Sequence, residues 1–382
     1  MEMIFWFSLM ISVYVYFGYP ALLWIFSKAI AGKRATTCDE QYLPAVSLVI
    51  AAHNEEKVIK EKLKNSLELD YPAHLLEIII ASDGSIDGTN EIISSFKDER
   101  IKFHELAPRG GKTKALNTVI PSAKGEILVL SDANTIYNKN AVRKLVRHFA
   151  DERVGAVSGD VRLIDAAQSH SESESAFYKY ERWIQFQESK VGSIIGVDGA
   201  MYAIRKEAYA PPPSHIILDD FVISMSVACK GLRVIYDPEA IATEVGTATS
   251  EEEFQRKSRV VAGGMQTLLL RKGIPKLNQP FLLFSFFSHK VLRWLIPFFL
   301  NLILLSSTFL AIDDRGGFLW FFILEALFVL ICLLYKYNLF GIRKMQGAGI
   351  PYYFFLVNGA AFFGIFKGLF NLQKVTWKKT SR

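Results

Sequence analysis

The chain has 382 residues, 51% hydrophobic and 21% charged, with a formal net charge of +6. That composition argues against a disordered chain and is too apolar for an ordinary soluble one. The basic residues gather beside apolar runs and in a few loops, which argues against a nucleic-acid binder and suits a protein at an anionic membrane surface. Cys38, Cys229 and Cys332 are widely spaced and odd in number, as expected of neither a disulfide framework nor a zinc site.

Met3 to Ile30 is nearly continuous apolar sequence, longer than the roughly 20 residues that cross a bilayer core. No basic residue precedes it, whereas Lys28, Lys33 and Arg34 lie in or after its end. That asymmetry puts the N-terminus outside and the next region in the cytosol, and it argues against a cleaved signal peptide.

From Pro44 short apolar strands alternate with helical patterns. Val46–Ala51, Glu77–Ala81, Ile101–Leu106 and Ile127–Leu130 read as strands. Glu55–Leu67 reads as an amphipathic helix with Val58, Ile59, Leu63 and Leu67 on one face and its Glu and Lys residues opposite. Asn90–Phe96, Thr113–Ile120 and Asn140–Phe149 are further helices. The alternation predicts an open α/β sheet, whose ligands sit at the carboxyl ends of the strands. A looser region follows: strand Val154–Val157, a polar helix Glu172–Ser189, strand Met201–Ile204, a helix opening at Asp219-Asp220, strand Leu232–Tyr236 and a helix Glu251–Leu270.

Apolar sequence returns at Pro275. Gln279–Phe287 is too short to span and reads as an interfacial segment. Val291–Ile312 and Phe318–Tyr335 read as spans. Tyr352–Phe370 is a fourth candidate, interrupted by Asn358 and Lys367. A full fourth span would leave Lys374, Lys378, Lys379 and Arg382 outside, against the positive-inside rule, so the segment is re-entrant, interfacial or an exception to that rule. The expected division is an anchor over 1–32, a soluble domain over 44–274 and a second membrane region over 275–382.

Polar motifs fall where strands end. Asp83-Gly84-Ser85-Ile86-Asp87-Gly88 begins like a calcium loop, but Ser94 occupies the position of its bidentate Glu. Asp83 can bond a base or ribose, or close an Asx-turn. Gly110-Gly111-Lys112-Thr113 lacks the leading glycine of a P-loop, since position 106 is Leu106. It can still offer backbone N–H groups and one ammonium to a phosphate. Asp132 and Asn134, two apart after a strand, can both reach one hard cation. Asp219-Asp220 at a helix start can supply a general base, or simply favour the helix N-terminus. Arg256 and Arg259, three apart on one helix, can hold phosphates or form a basic face beside the membrane.

In their order, these motifs make the chain resemble the membrane-bound family 2 glycosyltransferases with a GT-A catalytic domain, the group of cellulose, hyaluronan, chitin and poly-N-acetylglucosamine synthases. The matching stretches are Val46–Glu56, Ser82–Thr89, Gly111–Asn117, Asp132-Ala133-Asn134, Gly196-Val197-Asp198-Gly199-Ala200 and Asp219-Asp220. The resemblance implies a cytosolic GT-A domain flanked by transmembrane helices in the cell membrane. Ala52, Asn54, Glu55, Asp83, Lys112, Asp132, Arg256 and Arg259 would bind a UDP-sugar; Asp132 and Asn134 would hold Mg2+ or Mn2+. Asp198, Gly199 and Asp219 would meet a glycan or lipid-linked acceptor, and Asp220 would be the base of an inverting transfer.

Two positions depart from that pattern. Asn134 stands where the family has a second acid, and Val260 follows Arg259 where processive members carry a Trp platform for the acceptor. A non-processive transferase extending a surface polysaccharide or lipid-linked glycan is therefore expected, with a processive synthase as the alternative. An inactive nucleotide-sugar-binding scaffold is the alternative of another class. The membrane segments are fewer than a polymer channel needs, so export would call on a partner or a homo-oligomer.

Overall fold

Val46–Ala52 (β1) is buried along all seven residues, as an apolar strand must be when both faces of its sheet are covered. On one side lie β2 (Leu76–Asp83) and β3 (Ile101–Leu106), on the other β4 (Ile127–Asp132), all parallel. Beyond β4 the sheet becomes mixed. The short β7 (Met201–Arg205) runs antiparallel between β4 and β6 (Val154–Ile164). Next to β6 come the parallel β8 (Arg233–Val245) and the two-residue β5 (Ile136–Tyr137). Among the described residues this makes one sheet in the order β3-β2-β1-β4-β7-β6-β8-β5, the expected open α/β architecture. The computed structural model describes residues 1–30, 36–164, 170–246, 249–313 and 316–375. The expected flanking cations Lys33, Arg34, Lys378, Lys379 and Arg382 lie outside the described residues.

Alternation along the strands builds two cores. Leu48, Ile50, Ile78, Ile80 and Val129 pack under α2 (Ile59–Leu67), α3 (Thr89–Ser95) and α5 (Ala141–Val146). Val49, Ala51, Ile79, Leu128 and Leu130 pack under α4 (Lys112–Val119) and α7 (Asp219–Cys229). One expectation about α2 is corrected. Its buried face is Ile59, Lys62, Leu63 and Ser66, so Lys62 lies in the core stripe rather than with the solvated charges. The i, i+3, i+4, i+7 spacing of these residues is that of one helix face.

Among the described residues four helices are long and apolar enough to cross a membrane: α1 (Glu2–Ile30), α9 (Pro280–Ile312), α10 (Phe318–Lys336) and α11 (Gly349–Leu369). The segment read as a short interfacial piece is part of α9, continuous with the span through a π turn at Phe286–Val291. Polar groups accompany that turn. His289 bonds Glu188 at 2.8 Å and Glu181 at 3.2 Å, both on α6 (His170–Val191), and Ser288 meets the Tyr14 hydroxyl of α1 at 2.8 Å.

Helix α11 is a complete 21-residue helix. One face rests on α8 (Ser250–Leu269) through glycines. A Cβ at Gly364 would stand 2.6 Å from the Ser258 carbonyl oxygen, and one at Gly368 2.6 Å from that of Ala262. Small residues let the two backbones approach this closely. That face of α11 is therefore turned to protein rather than lipid. Gly364→Ala and Gly368→Ala are expected to push the helices apart and cost about 1–3 kcal/mol each, seen as a lower thermal unfolding midpoint in lipid; an unchanged midpoint would contradict the close packing.

Candidate nucleotide-sugar site

Parallel strands deliver their C-terminal residues to one edge, and the register aligns Ala51 with Asp132 and Ala52 with Ser82. The motifs at the ends of β1, β2 and β4 thereby come together. Asn54 takes a left-handed φ of 55°, a conformation asparagine tolerates better than most residues. Its Oδ1 accepts from the Ile86 N–H at 2.8 Å, and its own N–H donates to Ser85 Oγ at 3.1 Å. The Glu55 N–H donates to Thr89 Oγ1 at 2.8 Å. Ala52 is buried in the core at the end of β1.

Asp83 is buried, and its two carboxylate oxygens accept the N–H groups of Gly110 and Gly111, each at 2.7 Å. Here it anchors the glycine loop ahead of α4. Gly111 has φ 89°, where side chains are disfavoured, and Lys112 opens the helix beyond it.

Lys112 is the centre of the site. Its Nζ donates to Asp132 Oδ1 at 2.6 Å and lies 3.3 Å from the Gly199 carbonyl oxygen. Burial works against its charge, yet Asp132, Asp219 and Asp220 together hold the ammonium well above the ordinary lysine range. Antiparallel pairing of β4 with β7 sets Ser131 against Met201, which brings the Asp198-Gly199-Ala200 loop beside Asp132. A Cβ on Gly199 would stand 2.6 Å from Asp220 Oδ2, so glycine lets the loop lie against the carboxylate.

Asp220 opens α7, and its Oδ1 accepts the Phe221 N–H at 2.7 Å. Burial, and then the neighbouring Asp219, push its carboxyl well above the usual carboxylate range, with Lys112 acting in the opposite sense. Asp219 Oδ2 and the Tyr202 hydroxyl are buried without a hydrogen-bond partner among the described residues. Orphaned polar atoms of this kind mark a place where a ligand or water completes the bonding.

Asp198 is fixed from three directions. Arg182 of α6 donates to its Oδ2 at 2.5 Å, its Oδ1 accepts the Ala200 N–H at 3.1 Å, and its own N–H meets Ser158 Oγ at 3.0 Å. The two α8 arginines part company. Arg256 is drawn into a cluster with Glu253, Glu174 and the Tyr178 hydroxyl, because acids lie one helical turn back and on α6. Arg259 feels Asp219 and Asp220, and its guanidinium donates to the carbonyls of Lys374 at 2.7 Å and Val375 at 2.6 Å.

The donor set suits a hard divalent cation. Asp132 already accepts one positive group, and its side chain is 36% exposed. Asn134 Nδ2 donates to Glu244 Oε1 at 3.0 Å, which ties the turn after β4 to β8 and brings a second carboxylate beside Asn134. Among the described residues no three His, Cys, Asp or Glu side chains converge as a cage. A Mg2+-like ion held here would take its remaining ligands from phosphate and water.

Lys62, Arg182, Tyr202 and Glu244 were not among the expected site residues. Lys62 carried a signal, its position in the apolar stripe of α2. The other three are brought in by β7, β8 and α6, which local spacing does not register. Burial holds the Lys62 ammonium down to about 7, with Asp132 acting the other way.

Residues 47–210 match the family described as Glycosyl transferase family 2. A protein named probable glycosyltransferase YdaM, from Bacillus subtilis, is 29% identical over 376 residues, covering 89% of this chain and 87% of that one. A poly-beta-1,6-N-acetyl-D-glucosamine synthase of Staphylococcus epidermidis is 26% identical over 269 residues, 69% of this chain; the match spans 65% of the synthase. Among solved structures, the mannosyltransferase PcManGT of Pyrobaculum calidifontis, in complex with GDP-Man and Mn2+, superposes with a TM-score of 0.73 at 22% identity, covering 97% of this chain and 100% of that one. The sheet and its helices are a GT-A fold, and residues 47–210 are similar to the glycosyltransferase family 2 domain.

Proposed function

We propose that the protein is a membrane-anchored inverting glycosyltransferase that moves a sugar from a UDP-sugar to a surface polysaccharide or a lipid-linked glycan. The observation that carries this reading is the cluster in which Lys112 bridges Asp132 and the Gly199 carbonyl beside Asp220. In this reading Lys112 is the diphosphate-binding ammonium, Asp132 the metal post and Asp220 the general base. Named relatives that make poly-N-acetylglucosamine support a polymeric acceptor. Flanking lysines and arginines support a catalytic domain on the cytosolic side.

In this mechanism the acceptor hydroxyl attacks the anomeric carbon from the face opposite the nucleotide. Its proton passes to an Asp220 oxygen as the new C–O bond forms. The bond from the anomeric carbon to the β-phosphate oxygen breaks, and the nucleoside diphosphate leaves. Asp132, Asn134 and Glu244 would hold a divalent cation, which supplies charge stabilisation to the departing diphosphate. Lys112 adds its ammonium to the same phosphates, and Arg182 keeps the Asp198 loop in place for the acceptor.

Asp220→Asn is expected to retain donor binding and lower transfer by about 10²–10⁴-fold, measured by calorimetry and by labelled-sugar incorporation; near-wild-type transfer would remove Asp220 as base. Because burial and Asp219 raise the Asp220 carboxyl, it binds a proton at higher pH than an ordinary carboxylate. The rate should therefore fall on acidification before that ordinary range is reached, and a rate flat down to it would contradict the assignment. Asp132→Ala and Glu244→Gln should each raise the Mn2+ or Mg2+ concentration needed for half-maximal rate. An unchanged metal requirement takes that residue out of the metal site.

A further inference from the structure

Lys62 is 0% exposed in the middle of the core face of α2. Its Nζ donates to Ser131 Oγ at 2.7 Å and to the Thr135 carbonyl oxygen at 2.6 Å, and lies 4.0 Å above the centre of the Tyr137 ring. Among the described residues no carboxylate forms an ion pair with it. A buried ammonium without such a partner is an expensive way to fill a core, where methionine would fill similar space.

Its two acceptors flank the acidic turn. Ser131 is the last residue before Asp132, and Thr135 the first after Asn134. The turn's backbone bonds are long, since the Thr135 N–H reaches the Asp132 carbonyl at 3.4 Å and the Asp132 N–H reaches that of Ala200 at 3.4 Å; Ser131 Oγ also donates to the Asp132 carbonyl at 3.0 Å, and Asn134 Nδ2 to Glu244 Oε1 at 3.0 Å. Lys62 supplies shorter bonds at both ends. The next turn of α2 extends the grip, since Asn65 Nδ2 donates to the Tyr137 carbonyl at 2.8 Å and its Oδ1 accepts the Tyr137 N–H at 2.9 Å.

We propose that Lys62 is a positioning residue for the acidic turn. By tying Ser131 to Thr135 it fixes the spacing of Asp132 and Asn134 for a divalent cation and its diphosphate. This rests on the functional reading above. Lys62 touches neither metal nor donor, and it acts through the turn it holds.

The test titrates Mn2+ against purified full-length protein in lipid, with UDP or GDP, whichever the wild type binds, and reads nucleotide binding by calorimetry alongside thermal unfolding. Lys62→Met is expected to fold with a midpoint no lower than wild type. It should need about 10- to 100-fold more Mn2+ for half-maximal binding, with nucleotide affinity at saturating Mn2+ unchanged. Ser131→Ala removes one acceptor, leaves the lysine in place and should shift the requirement the same way by less. The double variant should fall short of the sum of the two single effects, because the ammonium and the serine hydroxyl share one bond while the hydroxyl keeps its own to the Asp132 carbonyl. A folded Lys62→Met with the wild-type Mn2+ requirement overturns the inference. If that variant does not fold, a wild-type requirement in Ser131→Ala overturns it instead. A wild type that binds neither nucleotide at any Mn2+ concentration overturns the functional reading itself, and this inference with it.

Discussion

One ammonium among three carboxylates is the constraint on which the rest of the site depends. Asp132, Asp219 and Asp220 come from β4 and the start of α7, and like charges gathered this closely repel unless a cation stands among them. Lys112 is that cation within the protein. Its placement has its own causes: Asp83 at the end of β2 seizes two glycine N–H groups, and their loop releases the chain into α4 with the lysine in its first turn. The sheet sets the acids, the glycine loop sets the lysine, and the Asp198-Gly199-Ala200 loop supplies the carbonyl that completes its coordination. A nucleotide diphosphate and its metal would enter the same charge balance as one further anion and one further cation.

Two of the helices long and apolar enough to cross a membrane, α9 and α11, are tied to this domain by polar contacts as well as by close packing. Helix α6 carries Glu181 and Glu188 to His289 in the π turn of α9, and it carries Arg182 to Asp198 in the loop beside Asp220. Helix α8 carries Arg259 toward the site while its other face takes the glycine seam of α11. Each of these soluble-domain helices thus touches both the chemistry and the membrane segments. On the proposed function, that arrangement would give an acceptor anchored in lipid a fixed position relative to Asp220.

The parallel half of the fold was legible because its strands and helices differ locally in period, and because their connections end in Gly, Asp and Asn. The acidic and glycine motifs lay at strand ends, where such a sheet binds ligands. What local pattern did not reveal came from distant pairing. Glu244 reaches Asn134 only because β8 extends to Val245, and Arg256 enters an acidic cluster because Glu174 on another helix lies beside it. Lys62 was misplaced for another reason. A lysine is ordinarily read as solvated, and here its polar partners lie inside the core. The interfacial segment at Gln279–Phe287 was separated from its span because polar Ser288, His289 and Lys290 interrupt the apolar run, whereas the helix carries them through a π turn.

The reaction proposed for the Lys112 cluster is sugar transfer. Its most direct test is to incubate the purified protein in lipid with a panel of labelled nucleotide sugars and a divalent cation, then separate and size the labelled products while following nucleoside diphosphate release. The account predicts release of nucleoside diphosphate matched by label in a glycan or lipid-linked product, for one donor above the others. Nucleotide-sugar binding with neither release nor labelled product would contradict it and would describe a sensor or scaffold instead.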